Sequence, residues 1–324
     1  MDTLVKGLSK PQTEYQQVLP FVYKNKHIEL VHIAKASNLP YDALNNLKLS
    51  HLDFLILNLV GRHLVLTHAI THSLLKKEDI GIQEIIRSYR KLMVLELVEG
   101  YRWHREGDIY ESPWAYTLSK NGLYFLKTRN NTEKFYTVLS NQFVQDNLHL
   151  FLGTLITNAF VLYMQKLNIH KHSVIRPLLK WEEVGERKQF MPQALMNLLH
   201  LRTQREFTLL IEPIRRNENW KKEIDNKLKK YSFFYINESY KKCELIRGKP
   251  ITLLIVEDTK HMQELGEYLA LTPHENFFKK NKVLITTDWS IRDIEELNLH
   301  KGVYTIVFED DQANPKYRYV NLLD

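Results

Sequence analysis

The chain has few residues of the kinds that cross-link a protein, break its helices or embed it in a bilayer. Its single cysteine, Cys243, excludes an intrachain disulfide and suits a reducing cytoplasm. Only 11 glycines and 10 prolines leave little room for long flexible linkers. No apolar run reaches the roughly 20 residues that span a bilayer, and the first 15 residues lack the pattern of a signal peptide. We therefore expect a cytoplasmic protein without membrane contact, in which the longest apolar run, 148–167, is a buried helix.

The motifs of several enzyme classes are also absent. No glycine-rich phosphate loop is present, which argues against a nucleotide-driven activity, and there is no serine-nucleophile elbow. His68 and His72 lie four residues apart on an expected helix, with His63 nearby, which is the spacing of a zinc-binding pair. Such a pair is expected by chance among 14 histidines, and no carboxylate completes a motif. We therefore predict neither a metal site nor a cofactor.

The length of 324 residues allows two or three domains, each with its own core. The net charge of +7 is unevenly distributed along them. Residues 215–249 contain eleven Lys or Arg against five Asp or Glu, a net charge of +6, whereas residues 288–324 have a net charge of −4 from four against eight. A basic segment of this kind attracts polyanions, although a solvated lysine-rich helix gives the same pattern. The candidates in this second basic patch are Lys221, Lys222, Lys229 and Lys230.

Residues 50–126 contain the order of elements that is typical of a winged helix. Apolar residues at three- and four-residue spacing predict a helix with one buried face at 82–93. Apolar residues at 95–103 then predict a strand, a polar turn follows, and 114–117 predicts a second strand. A helix followed directly by such a hairpin predicts a DNA-recognition helix with its wing.

The outer face of the expected recognition helix carries side chains that can bond base edges or phosphates. They are Gln83, Arg87, Ser88, Arg90 and Lys91. The wing adds Arg102, His104 and Arg105, at the place where a wing touches the DNA backbone. Acidic residues in the same turn, such as Glu106 and Asp108, weaken the prediction. Because many winged helices contact only proteins, DNA contact and protein contact both stay open.

Residues 1–49 contain a second candidate for DNA contact. Apolar residues fall at the positions that a helix-turn-helix keeps apolar, namely Leu30, Ile33, Ala34, Leu39 and Leu44. The second helix of this motif would begin near Pro40, because proline is tolerated in a first helical turn. The segment is therefore either a helix-turn-helix or a helical extension of the winged helix. A polar stretch at 127–134 predicts a linker after the winged helix.

Residues 135–324 alternate between helical and strand-like patterns. Helices are expected at 135–167, 217–236 and 259–270, and strands at 172–176, 207–212, 251–257, 282–286, 303–308 and 317–321. Strands that alternate with helices predict an α/β domain with a central mixed sheet. Together with the winged helix, this domain makes the expected fold class α+β.

Within this half, the order of several short motifs resembles one family. The motifs are a helix with His149 and Asn158, then Trp181-Glu182-Glu183, Phe190-Met191-Pro192-Gln193-Ala194, Phe207-Thr208-Leu209-Leu210-Ile211-Glu212, and Trp220 through Lys227 to Tyr231. With the preceding winged helix, they resemble the replication-relaxation family over about residues 50–270. Proteins of that family are typically encoded on plasmids and conjugative elements and act in replication or DNA mobilisation. Their C-terminal half resembles the PD-(D/E)xK nuclease core.

The resemblance implies where a nuclease site would lie. The first metal-binding aspartate would fall at Gln193, and the (D/E)xK strand would be Glu212-Pro213-Ile214. Hydrolysis of a phosphodiester needs carboxylates that hold Mg²⁺ and a lysine near the attacking water. Glutamine brings no charge and isoleucine no amine, so the resemblance implies a degenerate and inactive nuclease core.

Rescue of the nuclease chemistry would need replacements from elsewhere in the chain. The missing carboxylate could come from one of three glutamates, Glu182, Glu183 and Glu186, and the missing amine from Lys222 or Lys227. Alternatively, Glu212 is structural and pairs with Arg215, with Arg216 or with the basic helix.

These observations predict a sequence-specific DNA-binding protein that is not an enzyme. We expect a homodimer on double-stranded DNA, because one recognition helix contacts too few bases for useful specificity. It would regulate or assist transcription, replication or mobilisation on a plasmid or mobile element. Two alternatives stay open: a metal-dependent DNA endonuclease targeted by its winged helix, and an adaptor that binds a replication or relaxosome protein.

Overall fold

The fold divides into two compact units, Met1–Asn141 and Gln142–Asp324. The computed structural model describes residues 28–33, 40–75, 78–105, 114–129, 138–139, 144, 147–165, 167, 169–183, 186–272, 283–288, 303–307 and 316–320. Both units combine helices with sheet, and the larger sheet is mixed, which confirms the expected mixed α and β content. Of the expected linker 127–134, the first three residues belong to a helix that ends at Arg129, and the others lie outside the described residues.

The N-terminal unit contains a four-stranded antiparallel sheet and five helices within its described residues. In chain order its elements are β1 (Ile28–Ile33), α1 (Tyr41–Asn45), α2 (His51–His63), β2 (Val65–Thr67), α3 (His68–Leu74), α4 (Ile82–Val94), β3 (Val98–Arg105), β4 (Trp114–Leu118) and α5 (Lys120–Arg129). The strand order is β1-β3-β4-β2. The hairpin β3–β4 therefore follows α4 directly, as the sequence predicted.

The strand β1 corrects one prediction from the sequence. Residues Ile28–Ile33 were expected in a helix, but they form a strand that pairs antiparallel with β3, from Ile28 opposite Arg105 to Ile33 opposite Gly100. The segment is therefore not the first helix of a helix-turn-helix. The short helix α1 does begin at Tyr41, directly after Pro40. Residues 1–27 and 34–39, including Ala34 and Leu39, lie outside the described residues.

The helix α4 is held by an aromatic core. Its Tyr89 ring stacks on Tyr116 of β4 at 3.9 Å between centroids, and the Tyr89 hydroxyl bonds the Thr71 hydroxyl of α3 at 2.6 Å. The His68 ring lies edge-on to Tyr89, and its Nε2 bonds the Tyr116 hydroxyl at 2.7 Å. Buried aromatic rings that interlock in this way fix the orientation of α4 relative to the sheet, and so decide which of its residues face solvent.

The C-terminal unit is built on a seven-stranded mixed sheet. Its elements are α6 (Leu148–Gln165), β5 (His170–Ile175), β6 (Leu179–Glu183), β7 (Glu186–Phe190), β8 (Ala194–Leu199), β9 (Glu206–Pro213), α7 (Trp220–Ile236), a 3₁₀ turn (Ser239–Lys242), β10 (Ile251–Val256), α8 (Thr259–Ala270), β11 (Val283–Thr287), β12 (Val303–Val307) and β13 (Lys316–Tyr319). The strand order is β13-β12-β11-β10-β9-β8-β5, and β6–β7 forms a separate hairpin. Only β9, β10 and β11 are mutually parallel; the other neighbours in the large sheet pair antiparallel.

The apolar helix α6 is a core element of this unit. By length and composition it could cross a membrane, but most of its residues are buried within the protein, as in the core helix of a soluble fold. It contacts β5 and β9, and a Cβ on its Gly153 would lie 2.9 Å from Cγ of Pro213. The absence of a side chain at Gly153 therefore allows the helix to lie close to the end of β9. The predicted buried helix is confirmed, with its start at Leu148 in the described part.

Candidate functional site

The outer face of α4 presents three long polar side chains to solvent. Gln83, Arg87 and Arg90 are all exposed, and their spacing of four and three residues places them along one side of the helix. Val94 continues this line and is 59% exposed. At the N-terminal end, the Glu84 carboxylate accepts a hydrogen bond from the Gly81 backbone at 3.0 Å and so caps the helix. The face is therefore basic beyond its first turn.

Ser88 and Lys91 correct the predicted face. Ser88 is buried, and its hydroxyl donates to Oδ1 of Asp53 on α2 at 2.7 Å, so it does not belong to the outer face. Lys91 is half-exposed, and its ammonium binds the other carboxylate oxygen of Asp53. Burial alone would raise the pKa of Asp53, but donors from Lys91, Ser50 and Ser88 hold that pKa below its usual value. Both residues tie α4 to α2.

Asp53 also fixes the start of α2. The Ser50 backbone donates to its Oδ2 at 3.1 Å, and the Asp53 backbone donates to the Ser50 hydroxyl at 3.2 Å. This reciprocal pair is a capping box, which satisfies two backbone donors at the helix start. One carboxylate thus begins one helix and positions another.

Of the three predicted wing residues in the hairpin β3–β4, the structure describes the side chain of Arg102. The Arg102 guanidinium lies 4.9 Å from the centroid of the Trp114 ring, a cation–π arrangement between the two strands. The backbone of His104 and Arg105 belongs to β3, and their side chains lie outside the described residues, as do residues 106–113. Arg102 is therefore held against the sheet on one side of the hairpin.

His68 of α3 packs against aromatic side chains of the N-terminal unit. His68 lies among the buried aromatic rings, and burial, with a smaller contribution from Arg90, lowers its pKa to about 4. Among the residues that the structure describes, no group of three His, Cys, Asp or Glu side chains is arranged to hold a metal ion. His68 is therefore a neutral core residue at physiological pH.

Two of the three predicted nuclease positions, Gln193 and Glu212, lie near the same end of the large sheet. Ala194 pairs with Ile211, so Gln193 and Glu212 each lie one residue beyond this pair on neighbouring strands. The Gln193 amide donates to the Thr154 hydroxyl of α6 at 3.0 Å. The resemblance implied that Gln193 and Glu212 share one site; in the structure the Gln193 side chain bonds α6, whereas Glu212 bonds α7.

Glu212 is neutralised by the helix α7. Its side chain is 3% exposed, and Lys227 Nζ lies 2.5 Å from its Oε2. The Tyr231 hydroxyl donates to its Oε1 at 3.2 Å, and burial together with the nearby Glu212 charge raises the pKa of Tyr231 well above its usual value. Of the alternatives from the sequence, pairing of Glu212 with the basic helix is the one that the structure has.

Among the described side chains, the remaining nuclease candidates do not bond Glu212. Ile214 is buried in the hydrophobic core with Leu254. The backbones of Glu182, Glu183 and Glu186 lie in the hairpin β6–β7, and their side chains lie outside the described residues. Lys222 is exposed on α7.

Two arginines that follow β9 form a network that the sequence did not predict. Arg215 is buried and binds both oxygens of Asp288 after β11, with its Nη2 at 2.8 Å. Arg216 binds Glu257 and Asp258, which precede α8, and Glu264 within that helix; its Nη groups lie 3.0 and 3.1 Å from Asp258. Neither arginine pairs with Glu212, and both join the ends of the parallel strands β9, β10 and β11 instead.

The second basic patch lies along α7. Lys222 and Lys229 are exposed and seven residues apart, so they share one side of the helix, and Lys230 is exposed beside them. Lys221 lies over the rings of Trp220 and Tyr268, at 5.7 and 5.3 Å from their centroids. Partly exposed Phe233 and Ile236 continue the same side. The patch is thus a basic half-helix with an apolar end.

The chain matches no known family model, and no curated protein or solved structure matches it either. Its function is therefore inferred from its own residues and their geometry.

Proposed function

We propose that the protein is a sequence-specific DNA-binding protein whose N-terminal unit is a winged helix. Three features support this proposal: the chain order helix, strand, helix, helix, hairpin from α2 to β4; the placement of α4 directly before the hairpin; and the solvent-exposed side chains of α4. In this proposal β1 is an addition to the sheet of the wing.

The observation that carries the proposal is the exposed row of Gln83, Arg87 and Arg90. Glutamine bonds adenine edges and arginine bonds guanine edges or phosphates. The opposite face of α4 is buried, and the bonds from Ser88 and Lys91 to Asp53 fix its rotation, so the row is held outward. A row that is fixed before binding costs little conformational entropy when it enters the major groove.

The C-terminal unit is proposed to be an inactive relative of the PD-(D/E)xK nuclease core. Its order α6-β5-β8-β9-α7-β10 and the placement of Gln193 and Glu212 near one end of the sheet support this proposal, as does the resemblance to the replication-relaxation family. Lys227 and Tyr231 donate hydrogen bonds to the Glu212 carboxylate, which in an active nuclease core would hold a metal ion. The protein would then act as a homodimeric regulator or accessory factor of transcription, replication or mobilisation.

Selection from a random duplex library, followed by sequencing, tests the proposal. We expect an enriched two-fold symmetric site, and Arg87→Ala should weaken binding to that site by about 1–3 kcal/mol while binding to unrelated duplex changes less. The matched control is Lys127→Ala on the exposed side of α5, which should leave the preference unchanged. Absence of any enriched sequence would contradict the proposal and favour the adaptor.

A metal-dependent nuclease is the second candidate, because Lys227 stands where a displaced catalytic lysine could act on Glu212. The same selection in Mg²⁺ and in chelator separates the two functions. Intact DNA under both conditions supports the inactive core. Cleavage that requires Mg²⁺ and disappears in Glu212→Ala would establish the nuclease.

A further inference from the structure

A tight turn joins β8 to β9 at the end of the sheet away from Glu212. The His200 backbone donates to the Arg205 carbonyl at 2.9 Å, and the Gln204 backbone donates to the His200 carbonyl at 2.8 Å. Gln204 has a φ of 55°, in the left-handed region. Hydrogen bonds within the turn therefore fix its backbone, and Arg202 and Arg205 are both exposed on it.

The start of β5 lies beside this turn. The Leu199 backbone donates to the Ile169 carbonyl at 2.8 Å, which holds the chain before β5 against the end of β8. The register of the β5–β8 pair then shifts at Lys171, which is the extra residue of a β-bulge. Bulges redirect side chains, and both Lys171 and His172 are exposed. The bulge thus adds a lysine and a histidine to the end of the sheet where the two arginines lie.

Their positive charges are not compensated locally. Within the part of the chain that the structure describes, Lys171, Arg202 and Arg205 make no ion pair, and the nearby Glu206 is 3.7 Å from Nε of Arg247. A lysine and a bulge on the last strand of a sheet also discourage pairing with another chain. That role does not account for two arginines on a turn beyond the strands.

We propose that these four residues, Lys171, His172, Arg202 and Arg205, form a turn patch that binds the phosphate backbone of duplex DNA. Guanidinium groups bond phosphate oxygens in pairs, and lysine adds a point charge. Neighbouring strands lie about 4.8 Å apart, so a patch across β5, β8 and β9 is about 10 Å wide. That width matches about three rises of about 3.4 Å between successive phosphates of one DNA strand.

The composition of the patch favours duplex DNA over other partners. Proteins that bind single strands stack bases on exposed aromatic rings, and no exposed aromatic residue belongs to the described part of 169–172 or 200–206. Protein interfaces need an apolar centre, whereas Leu201 is the one large exposed apolar side chain in those segments. Exposed Thr203 and Gln204 are instead polar groups that can bond phosphate.

The turn patch is separate from the nuclease-like position. Glu212 lies six residues further along β9 than Glu206, a distance of about 20 Å at 3.3 Å per residue. DNA on the patch would therefore contact the C-terminal unit without reaching Glu212. Because phosphate contacts position a protein without selecting sequence, the patch would add affinity to the specificity of α4. The choice of DNA rests on the proposed function, but the contribution of the patch can be measured independently.

The test measures the salt dependence of full-length protein binding to a fluorescent 20-base-pair duplex of arbitrary sequence. The patch variant is Lys171→Gln with Arg202→Gln and Arg205→Gln. The control, Lys180→Gln with Lys260→Gln and Arg318→Gln, removes the same charge from exposed positions of the C-terminal unit outside both basic patches. Each lost phosphate contact lowers the slope of log K against log salt by about 0.9. The patch variant should therefore lose about 2.7 of slope and at least about tenfold in affinity near 0.1 M salt, with no loss in the control.

Each other outcome overturns the inference. Equal losses in both variants would show a general effect of net charge, and an unchanged slope in the patch variant would show no phosphate contact. Tighter binding of a single-stranded probe by the unaltered protein would point to a different partner, and absence of binding to any duplex would do the same. The proposed function is scored separately, by whether Arg87→Ala lowers preference for an enriched site and the patch variant preserves it. Matching urea midpoints of the variants and the unaltered protein confirm that each is folded.

Discussion

Two buried carboxylates, one in each unit, are bound by the same kinds of donor. Asp53 binds the Lys91 ammonium and the Ser88 hydroxyl, whereas Glu212 binds the Lys227 ammonium and the Tyr231 hydroxyl. Asp53 has two further bonds, because it closes the capping box of α2 with Ser50. Glu212 stands at the end of a strand and begins no element.

The difference separates two uses of a buried charge. An ionised carboxylate has about four acceptor sites, and Asp53 uses three of them, for the Ser50 backbone, the Ser88 hydroxyl and the Lys91 ammonium. Glu212 accepts two hydrogen bonds, from Lys227 and Tyr231 of one helix, near the end of β9. The same kind of lysine–carboxylate pair therefore joins two helices in the N-terminal unit and joins a helix to a strand in the C-terminal unit.

Of the substitutions at the two carboxylates, removal of Asp53 should cause the largest loss of stability. Asp53→Ala loses the acceptor of the Ser50 backbone in the capping box, worth about 1 kcal/mol, and leaves the buried Ser88 hydroxyl without its acceptor, at a cost of about 1–3 kcal/mol. We expect a total loss of about 3 kcal/mol in the free energy of unfolding of the N-terminal unit. Hydrogen exchange of the amides in α2 and α4 measures it, with Asp42→Ala on exposed α1 as the control. Unchanged exchange in α4 would contradict the assigned role.

Acid should destabilise each unit through a histidine whose pKa is lowered in the folded state. The folded pKa of His68 is lowered to about 4, so between about pH 6.5 and 4 the unfolded chain binds the proton and the folded state does not. The N-terminal unit should therefore lose stability as the pH falls through this window, by about 3 kcal/mol in full. The contribution of Asp53, whose pKa is lowered, is lost only below about pH 4.

Stability of the N-terminal unit against pH, followed by hydrogen exchange, checks this order. His68→Gln should flatten the loss between pH 6.5 and 4, whereas His72→Gln on the same helix should not. His261 of the C-terminal unit, whose pKa burial and Arg216 lower to about 3, gives that unit a similar loss that also begins near pH 6.5 and continues to about pH 3. A loss of equal size in His68→Gln would show that another group carries the proton.

A double-mutant cycle measures the coupling between Glu212 and Lys227. Lys227→Met leaves a carboxylate that is 3% exposed with a single hydroxyl donor, and we expect a loss of about 2 kcal/mol. Glu212→Gln should cost about 1 kcal/mol, because Lys227 is 30% exposed and can reach water. The double variant should cost less than the sum. Urea unfolding of the C-terminal unit measures all three, and simple additivity would show that the pair is not coupled.

The smallest effect is expected at Lys91. Its side chain is 47% exposed, so the pair with Asp53 is partly screened by water and worth less than about 1 kcal/mol. Lys91→Ala should therefore leave the exchange of α4 nearly unchanged, in contrast to Asp53→Ala. A loss as large as that of Asp53→Ala would place the main tie between α2 and α4 at the lysine instead of at Ser88 and the cap.

Much of the fold could be predicted because its strands and helices follow their own periodicity. Helix α8 was predicted with its observed bounds, and the strands β9 and β10 within one residue at each end. The strand β1 was missed, since six residues fit both a helical and a strand period. The segment forms a strand because it pairs with β3, and that partner is distant in sequence.

The site was less predictable, because its side chains are fixed by distant partners. Ser88 has a helical position near the boundary between the two faces of α4, and it turns inward only because Asp53 lies there. The meeting of Lys227 with Glu212 likewise depends on how α7 packs on β9. The hairpin β6–β7 and strand β8 were also missed; the motifs around Trp181 and Phe190 had been used only for the resemblance.

The pairing of β1 with β3 has a consequence for the order of synthesis. A ribosome completes β1 at Ile33, but its partner spans Val98–Arg105. At about 10 residues per second, roughly seven seconds pass before that partner exists. The helices α2, α3 and α4 are all made within this interval. The N-terminal unit can therefore assemble these helices first, and β1, the earliest of its described strands to be synthesised, pairs only after them.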